Sequence, residues 1–146
     1  MDARVQKLAL KLLSVHDIVY QRSGGWVGHR LPFMPPNLLL HSIGAKTGKA
    51  RTNTLTYARD GGNYLIVASN GGANRYPGWY HNLKANPDVE INVGPTRIPV
   101  TAQILLPDDA DYARLWAITN ANNSNRYDSY QERTDRPIAV VVLKPR

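Results

Sequence analysis

"RTNTLTYARDGGNYLIVAS" (Arg51–Ser69) decides the fold. Its first nine residues alternate and are rich in β-formers, the pattern of a strand with one face on a core. "DGGN" (Asp60–Asn63) places two glycines where a tight reversal needs positive φ. "YLIVAS" (Tyr64–Ser69) then returns as a second strand. Upstream, "NLLLHSI" (Asn37–Ile43) is a third strand signal, so the first half predicts a three-stranded antiparallel meander.

The second half repeats the logic. Val89–Val93 and Arg97–Leu106 pair about "GPT" (Gly94–Thr96), and "IAVVVL" (Ile138–Leu143) is the last strand. A helix starts near Gly78 and ends at Asn86–Pro87, because a residue before proline is pushed out of helical conformation. A second helix is predicted over Pro107–Ala121, its early aspartates suiting the positive end of the dipole. The polar run "NNSNRYDSYQERTDRP" precedes the last strand. About six strands in hairpins, with helices inserted or appended, predict a small antiparallel barrel or strongly coiled sheet in a mainly β, α+β fold. There is no parallel βαβ order and no G-x-G-x-x-G, which excludes a dinucleotide-binding fold.

The amino-terminal residues read differently. Val5, Leu8, Leu12, Val15 and Val19 recur at helical spacing, with Asp2 as a cap. Arg4, Lys7 and Lys11 share the opposite face with Leu10 and Ile18. Such a helix either packs on the domain or lies on an anionic membrane. Residues 21–36 are a Gly/Pro-rich connection, which divides the chain into an amino-terminal helix with its connection (1–36) and a barrel (37–146), one domain overall.

Composition narrows the chemistry. The chain has 146 residues and no cysteine, which removes disulfides, thiolate metal sites and cysteine nucleophiles and fits a reducing, cytoplasmic location. A net charge of +7 points to an anionic partner. Lys7 and Lys11 interrupt any signal-peptide core, and no apolar run approaches the roughly 18 residues of a transmembrane helix. His16, His29, His41 and His81 stand apart from one another, so no metal site is predicted. No G-x-S-x-G elbow is present, and Asp108–Asp109 is explained by capping. With side-chain chemistry this thin, an enzyme here draws its reactivity from an organic cofactor.

Two segments remain. "GAKTGKART" (Gly44–Thr52) gathers Lys46, Lys49 and Arg51 about two glycines without matching a P-loop. It is either a backbone nest for phosphate oxygens or a solvated basic turn. "ASNGGANRYPGWYHNLKANP" (Ala68–Pro87) runs from strand through a Gly-Gly loop into a helix, a junction that presents N–H groups to an anion or flat ring. Taken alone, its Trp79 and Leu83 read as core.

Together these segments resemble a known pattern. "G-x-K-T-G-x-x-R-x-x-x-L" (Gly44–Leu55), "A-S-x-G-G-A" (Ala68–Ala73), "P-x-W-Y-x-N-L-K-A-N-P" (Pro77–Pro87) and "Y-x-x-Y-Q-x-x-T-D-R-x-I-x-V-V-V-L" (Tyr127–Leu143) are similar to the deazaflavin-dependent nitroreductase family. The resemblance covers residue 37 to the end. It implies a split β-barrel that binds coenzyme F420, a flat deazaflavin with a phosphate and an oligoglutamate tail.

By this resemblance the turn Ala45, Lys46, Thr47, Gly48 and Arg51 grips phosphate. Thr52, Asn53, Thr54, Leu55 and Thr56 lie along the deazaflavin. Val67, Ala68, Ser69, Asn70 and Gly71 meet the ring, and Gly78, Trp79, Tyr80 and Asn82 complete the cradle. The implied reaction is hydride transfer from C5 of reduced F420 to an electron-poor small molecule: a quinone, an activated alkene or a nitro compound. Ser69, Tyr127 and Tyr130 are the catalytic candidates, since a hydroxyl that donates to the acceptor offsets its developing charge. The tyrosines have a second reading, as packing over the barrel mouth. Relatives often carry lysine where this chain has Asn70, a contact either lost or moved to Arg75. Nitroimidazole-reducing members tend to carry an aromatic at the position of Ser124, so a more open or more polar acceptor pocket is expected. Rival readings are a non-catalytic F420-binding or storage protein and an FMN-binding split barrel. No nucleic-acid partner is expected, because the aromatics cluster by Trp79 and the tyrosines and not on a strand face. Peripheral membrane contact through the first helix and a homodimer stay open.

Overall fold

The computed structural model describes residues 35–146; the helix expected over residues 5–20 lies outside the described residues. In chain order the elements are β1 (Asn37–Ile43), β2 (Ala50–Thr56), β3 (Ala58–Asp60), β4 (Asn63–Val67), a 3-10 turn (Asn70–Gly72), α1 (Gly78–Ala85), β5 (Asp88–Val93), β6 (Thr96–Leu105), α2 (Tyr112–Asn122), α3 (Arg126–Gln131) and β7 (Val140–Pro145).

The strands form one sheet in the order β2-β1-β5-β6-β7-β4-β3, antiparallel throughout. This corrects the expected meander. The single strand predicted over Arg51–Arg59 breaks at Tyr57, and its halves go to opposite edges: β2 pairs with β1, while β3 pairs with β4. Tyr57 alone joins the two edges of a seven-stranded sheet. Consecutive Cα atoms are 3.8 Å apart across a trans peptide, so the sheet has to curl until its edges meet. The corner is held on both sides: the Tyr57 N–H donates to the Pro36 carbonyl (3.1 Å), and Asn122 Nδ2 donates to the Tyr57 carbonyl (3.0 Å).

Curling gives the sheet an inside and an outside, and β7 shows the consequence. Val141 and Leu143 face the barrel interior with Leu38, Leu40, Ile66, Ile91 and Val100. Val140 and Val142 face outward under α2, packed with Ala58, Leu65, Leu105 and Leu115. Both faces are covered, which is why this strand reads as an unbroken apolar run. Each fully buried aliphatic side chain here contributes about 1.5–3 kcal/mol. α1 closes one side of the interior with Trp79, Tyr80 and Leu83.

α2 begins at Tyr112, five residues later than expected, and no acidic side chain lies in its first turn. The aspartates serve the turn before it: Asp109 accepts the Leu106 N–H at 2.7 Å. Among the described residues no helix is long and apolar enough to cross a membrane.

Candidate functional site

The turn between β1 and β2 is drawn tight by two backbone bonds, Gly44 N–H to Lys49 O (2.7 Å) and Gly48 N–H to Gly44 O (2.9 Å). Glycine is required at both ends for different reasons. Gly48 has φ 68°, and a Cβ at Gly44 would stand 2.5 Å from Thr47 Oγ1. Asn82, buried on α1, staples the turn to the helix: its Oδ1 accepts the Ala45 N–H (2.9 Å), and its Nδ2 donates to Ser42 Oγ (3.1 Å). Beside this turn lies a cleft of about 420 Å³ lined by Lys46, Thr47, Arg51, Gly78, His81 and Asn82, with Gly44 and Ala45.

Gly78 also lines a second cleft, of about 580 Å³, which runs over Asn53 and Leu55 of β2 past Val67, Ser69, Asn70, Gly71, Arg75, Tyr76 and Trp79. Leu55, Val67, Ser69 and Gly71 in turn border a third, of about 220 Å³, closed by Thr54, Thr56, Asn123, Tyr127 and Tyr130. The three share walls and form one groove. No aspartate or glutamate lines it, while Lys46, Arg51 and Arg75 do. A Cβ added at Gly71 or Gly78 would meet nothing within 4 Å, so both glycines face open space.

At the far end Tyr127 is buried on α3, its ring edge-on to Tyr130 with centroids 6.1 Å apart. Burial pushes its phenol well above the usual tyrosine range, Tyr130 adds to this, and a hydrogen bond with Asn123 works against it. The group therefore stays protonated and serves as a donor throughout the neutral range. Asp128 fixes the helix that carries it, accepting from Asn120 Nδ2 (2.7 Å) and Trp116 Nε1 (2.8 Å).

Most of the expected site residues thus fall on one groove, in the expected order. Gly48, Thr52, Ala68 and Tyr80 do not line it. Gly48 shapes the turn. Thr52 bonds His41 Nδ1 (3.2 Å), whose Nε2 meets Asn92 Oδ1 (2.6 Å), among residues that border no part of the groove. Ala68 is fully buried, and Tyr80 stacks on Tyr76 in the core at 4.0 Å. Asn70 and Arg75 stay together in the middle section, joined by Asn70 Nδ2 to Arg75 O at 3.0 Å. Ser124 sits in a left-handed turn (φ 56°) outside the groove; the polar residue at the tyrosine end is Asn123. Sequence reasoning missed Asn123, His81 and Arg136. The last stands in the quoted T-D-R run, yet nothing in the run tells what an arginine there would touch.

The geometry defines a split barrel with a long, carboxylate-free cofactor groove. A model of the F420H(2)-dependent quinone reductase family matches residues 12–145. The chain is 63% identical over 139 residues to an F420H(2)-dependent quinone reductase of Mycobacterium tuberculosis (strain ATCC 25618 / H37Rv), covering 95% of this chain and 93% of that one. Among solved structures, an F420-H2 dependent reductase (FDR-A) superposes with TM-score 0.67 at 35% identity, over 75% of this chain and 94% of that one. A chain solved as a domain-swapped dimer gives 0.68 at 30% identity, over 97% and 100%. The chain belongs to the F420H(2)-dependent quinone reductase family, split-barrel oxidoreductases whose hydride donor is reduced coenzyme F420. The groove fits that cofactor: cations at one end for a polyanion, no opposing carboxylate, and glycines leaving room along its length.

Proposed function

We propose that F420 lies along this groove with its phosphate on the Gly44–Arg51 turn and its ring against Asn53–Thr56 and Val67–Gly71, leaving the acceptor beside Ser69, Tyr127 and Tyr130. One observation carries the reading: a single groove joins a cation-lined turn to a tyrosine-lined end. Arg51 offers a planar fork to phosphate oxygens, Lys46 a point charge and Thr47 a hydroxyl. Bound in the reduced state, the cofactor supplies hydride to a quinone stacked on its ring. Leu55, Val67 and Trp79 exclude water along the floor and keep the stacked pair close, which makes the step effectively unimolecular. The Tyr127 phenol donates to the quinone oxygen as negative charge builds there, and Ser69 is placed to do the same. Hydride from the cofactor and one proton taken up from water would together convert quinone to quinol.

Titration with F420 and, separately, FMN, followed by tryptophan fluorescence, tests the assignment. Micromolar F420 binding with no FMN binding supports it; FMN binding without F420 overturns it. Anaerobic oxidation of F420H2 by a quinone, an enone and a nitro compound then ranks the acceptor classes, with quinone expected first. A homodimer is proposed on the relative solved as a domain-swapped dimer. Peripheral contact with the inner face of the membrane is proposed on Arg4, Lys7 and Lys11 sharing one predicted helix face with Leu10 and Ile18. A monomeric mass by light scattering removes the first, and failure to sediment with anionic vesicles removes the second.

A further inference from the structure

Arg136 lies behind the groove wall, bordering none of the three sections, yet it organises the loop that forms their shared boundary. Its guanidinium donates from Nη1 to the Ala68 carbonyl (3.1 Å), from Nη2 to the Ser69 carbonyl (2.8 Å) and from Nε to the Ala73 carbonyl (2.8 Å). The plane is backed by the Tyr76 ring, 4.5 Å from guanidinium carbon to centroid, and the Tyr76 hydroxyl is anchored on Pro137 O. The arginine's own backbone is held as well: Gln131 Nε2 donates to Arg136 O at 2.8 Å, and Gln131 Oε1 accepts the Ile138 N–H at 3.0 Å.

This geometry constrains the donors of the same loop. Every peptide here is trans, and in a trans peptide a carbonyl and the following N–H point in opposite directions. Carbonyls of Ala68 and Ser69 drawn onto the guanidinium therefore turn the N–H groups of Ser69 and Asn70 away from it, toward the side on which both residues line the groove. Among the described residues neither N–H has a hydrogen-bond acceptor, whereas the neighbouring Ala68, Gly72 and Ala73 N–H groups bond to Ala139, Ser69 and Asn70 carbonyls. Ser69 is half-buried and Asn70 exposed, so both donors are open to water or to a molecule bound in the groove.

We infer that Arg136 is a positioning residue that aims the Ser69 and Asn70 N–H groups as a donor pair at a carbonyl oxygen of a molecule bound in the groove. The oxygen belongs to the quinone, where negative charge builds as hydride arrives, or to the deazaflavin ring edge, where the pair would hold the ring in place. Its identity rests on the function proposed above. Arginine suits the task because its rigid fork reaches three carbonyls at once, which a lysine ammonium on a flexible stem does not reproduce.

The test uses the full chain with Arg136→Ala, Arg136→Lys and, as a control, Arg114→Ala, which removes surface ion pairs with Asp60 and Asp111 away from the groove. Melting temperature, oxidised F420 affinity by fluorescence, and kcat and KM with a naphthoquinone are measured with and without millimolar guanidinium. Removing one preorganised oxyanion donor costs roughly 100-fold or more, and a mis-aimed pair retains part of its effect, so Arg136→Ala is expected to lose roughly 10- to 100-fold. Guanidinium restores part of that loss, Arg136→Lys restores little, and Arg114→Ala loses nothing. A loss confined to F420 affinity assigns the oxygen to the ring; a loss in kcat at unchanged F420 affinity assigns it to the quinone. Folded Arg136 variants within about twofold of the parent in both quantities overturn the inference. So does full repair by Arg136→Lys, which would show that charge alone is needed; that variant also carries the test should the alanine form not fold. A parent chain that binds no F420 overturns the function proposed above and this inference with it.

Discussion

The two ends of the groove are built on opposite principles. Lys46, Thr47 and Arg51 are exposed on a turn whose backbone closes on itself, and their charges stand in water. Val67 and Tyr127 are 8% and 6% exposed, on a strand and a helix locked by buried packing. An exposed cation acts by Coulomb attraction that salt screens. A buried phenol acts by preorganisation in a site that water does not reorganise. The first end should therefore govern how tightly the cofactor is held, and the second how fast it reacts.

Four experiments break or sharpen this division. Tyr127→Phe, which keeps the packing and removes the donor, is expected to lower kcat by roughly 100-fold with F420 affinity unchanged. Stopped-flow oxidation of F420H2 beside an equilibrium titration checks it, and a loss of affinity would erase the distinction. Arg51→Ala has the converse signature. Losing a charge-assisted contact of about 1.5–3 kcal/mol weakens F420 roughly 10- to 100-fold, leaves kcat at saturation intact, and costs less at high salt. Asn82→Ala probes the scaffold of the first end, because it leaves the Ala45 N–H and Ser42 hydroxyl without their partner; a loss of about 1–3 kcal/mol is expected in chemical denaturation, with weaker F420 binding alongside.

The smallest effect is on the pH dependence of the fold. Burial raises the Tyr112 phenol to about 12 and Tyr127 further still, so the folded state prefers both neutral. Their contribution is complete below the unfolded tyrosine value of about 10 and is lost as pH rises through the folded values. Circular dichroism should show melting temperature falling between about pH 10 and pH 12, less steeply in Tyr112→Phe. A drop centred near pH 8 would point to other groups.

Much of this was legible beforehand where one residue's nature fixes local geometry. Pro77 and Asn86–Pro87 bound α1 as the sequence reading expects, and Asp60–Asn63 turns the β3–β4 hairpin. The tight basic turn at Gly44–Arg51 was readable because glycine spacing and cation identity are local properties. The break at Tyr57 was not. Alternation in "RTNTLTYAR" specifies a strand with two faces but says nothing of which neighbour each half pairs with, and a strand kinked once has the same period as a straight one. α2 was placed too early because aspartates favour a turn as readily as a helix start.

The chain by itself determined most of the strand segments and the bounds of α1, the absence of thiol chemistry, the basic character and the family motifs, all of which follow from side-chain identity and spacing. Tertiary structure alone decided that β2 and β3 meet as the two edges of one curled sheet. It also decided that Asn123 and not Ser124 borders the tyrosine end of the groove, that Tyr80 belongs to the core, and that Arg136 holds three carbonyls of a loop more than sixty residues away. The physical reason is common to all of them. Which way a side chain points and what it meets depend on contacts between segments distant in sequence, and no local pattern encodes the far partner.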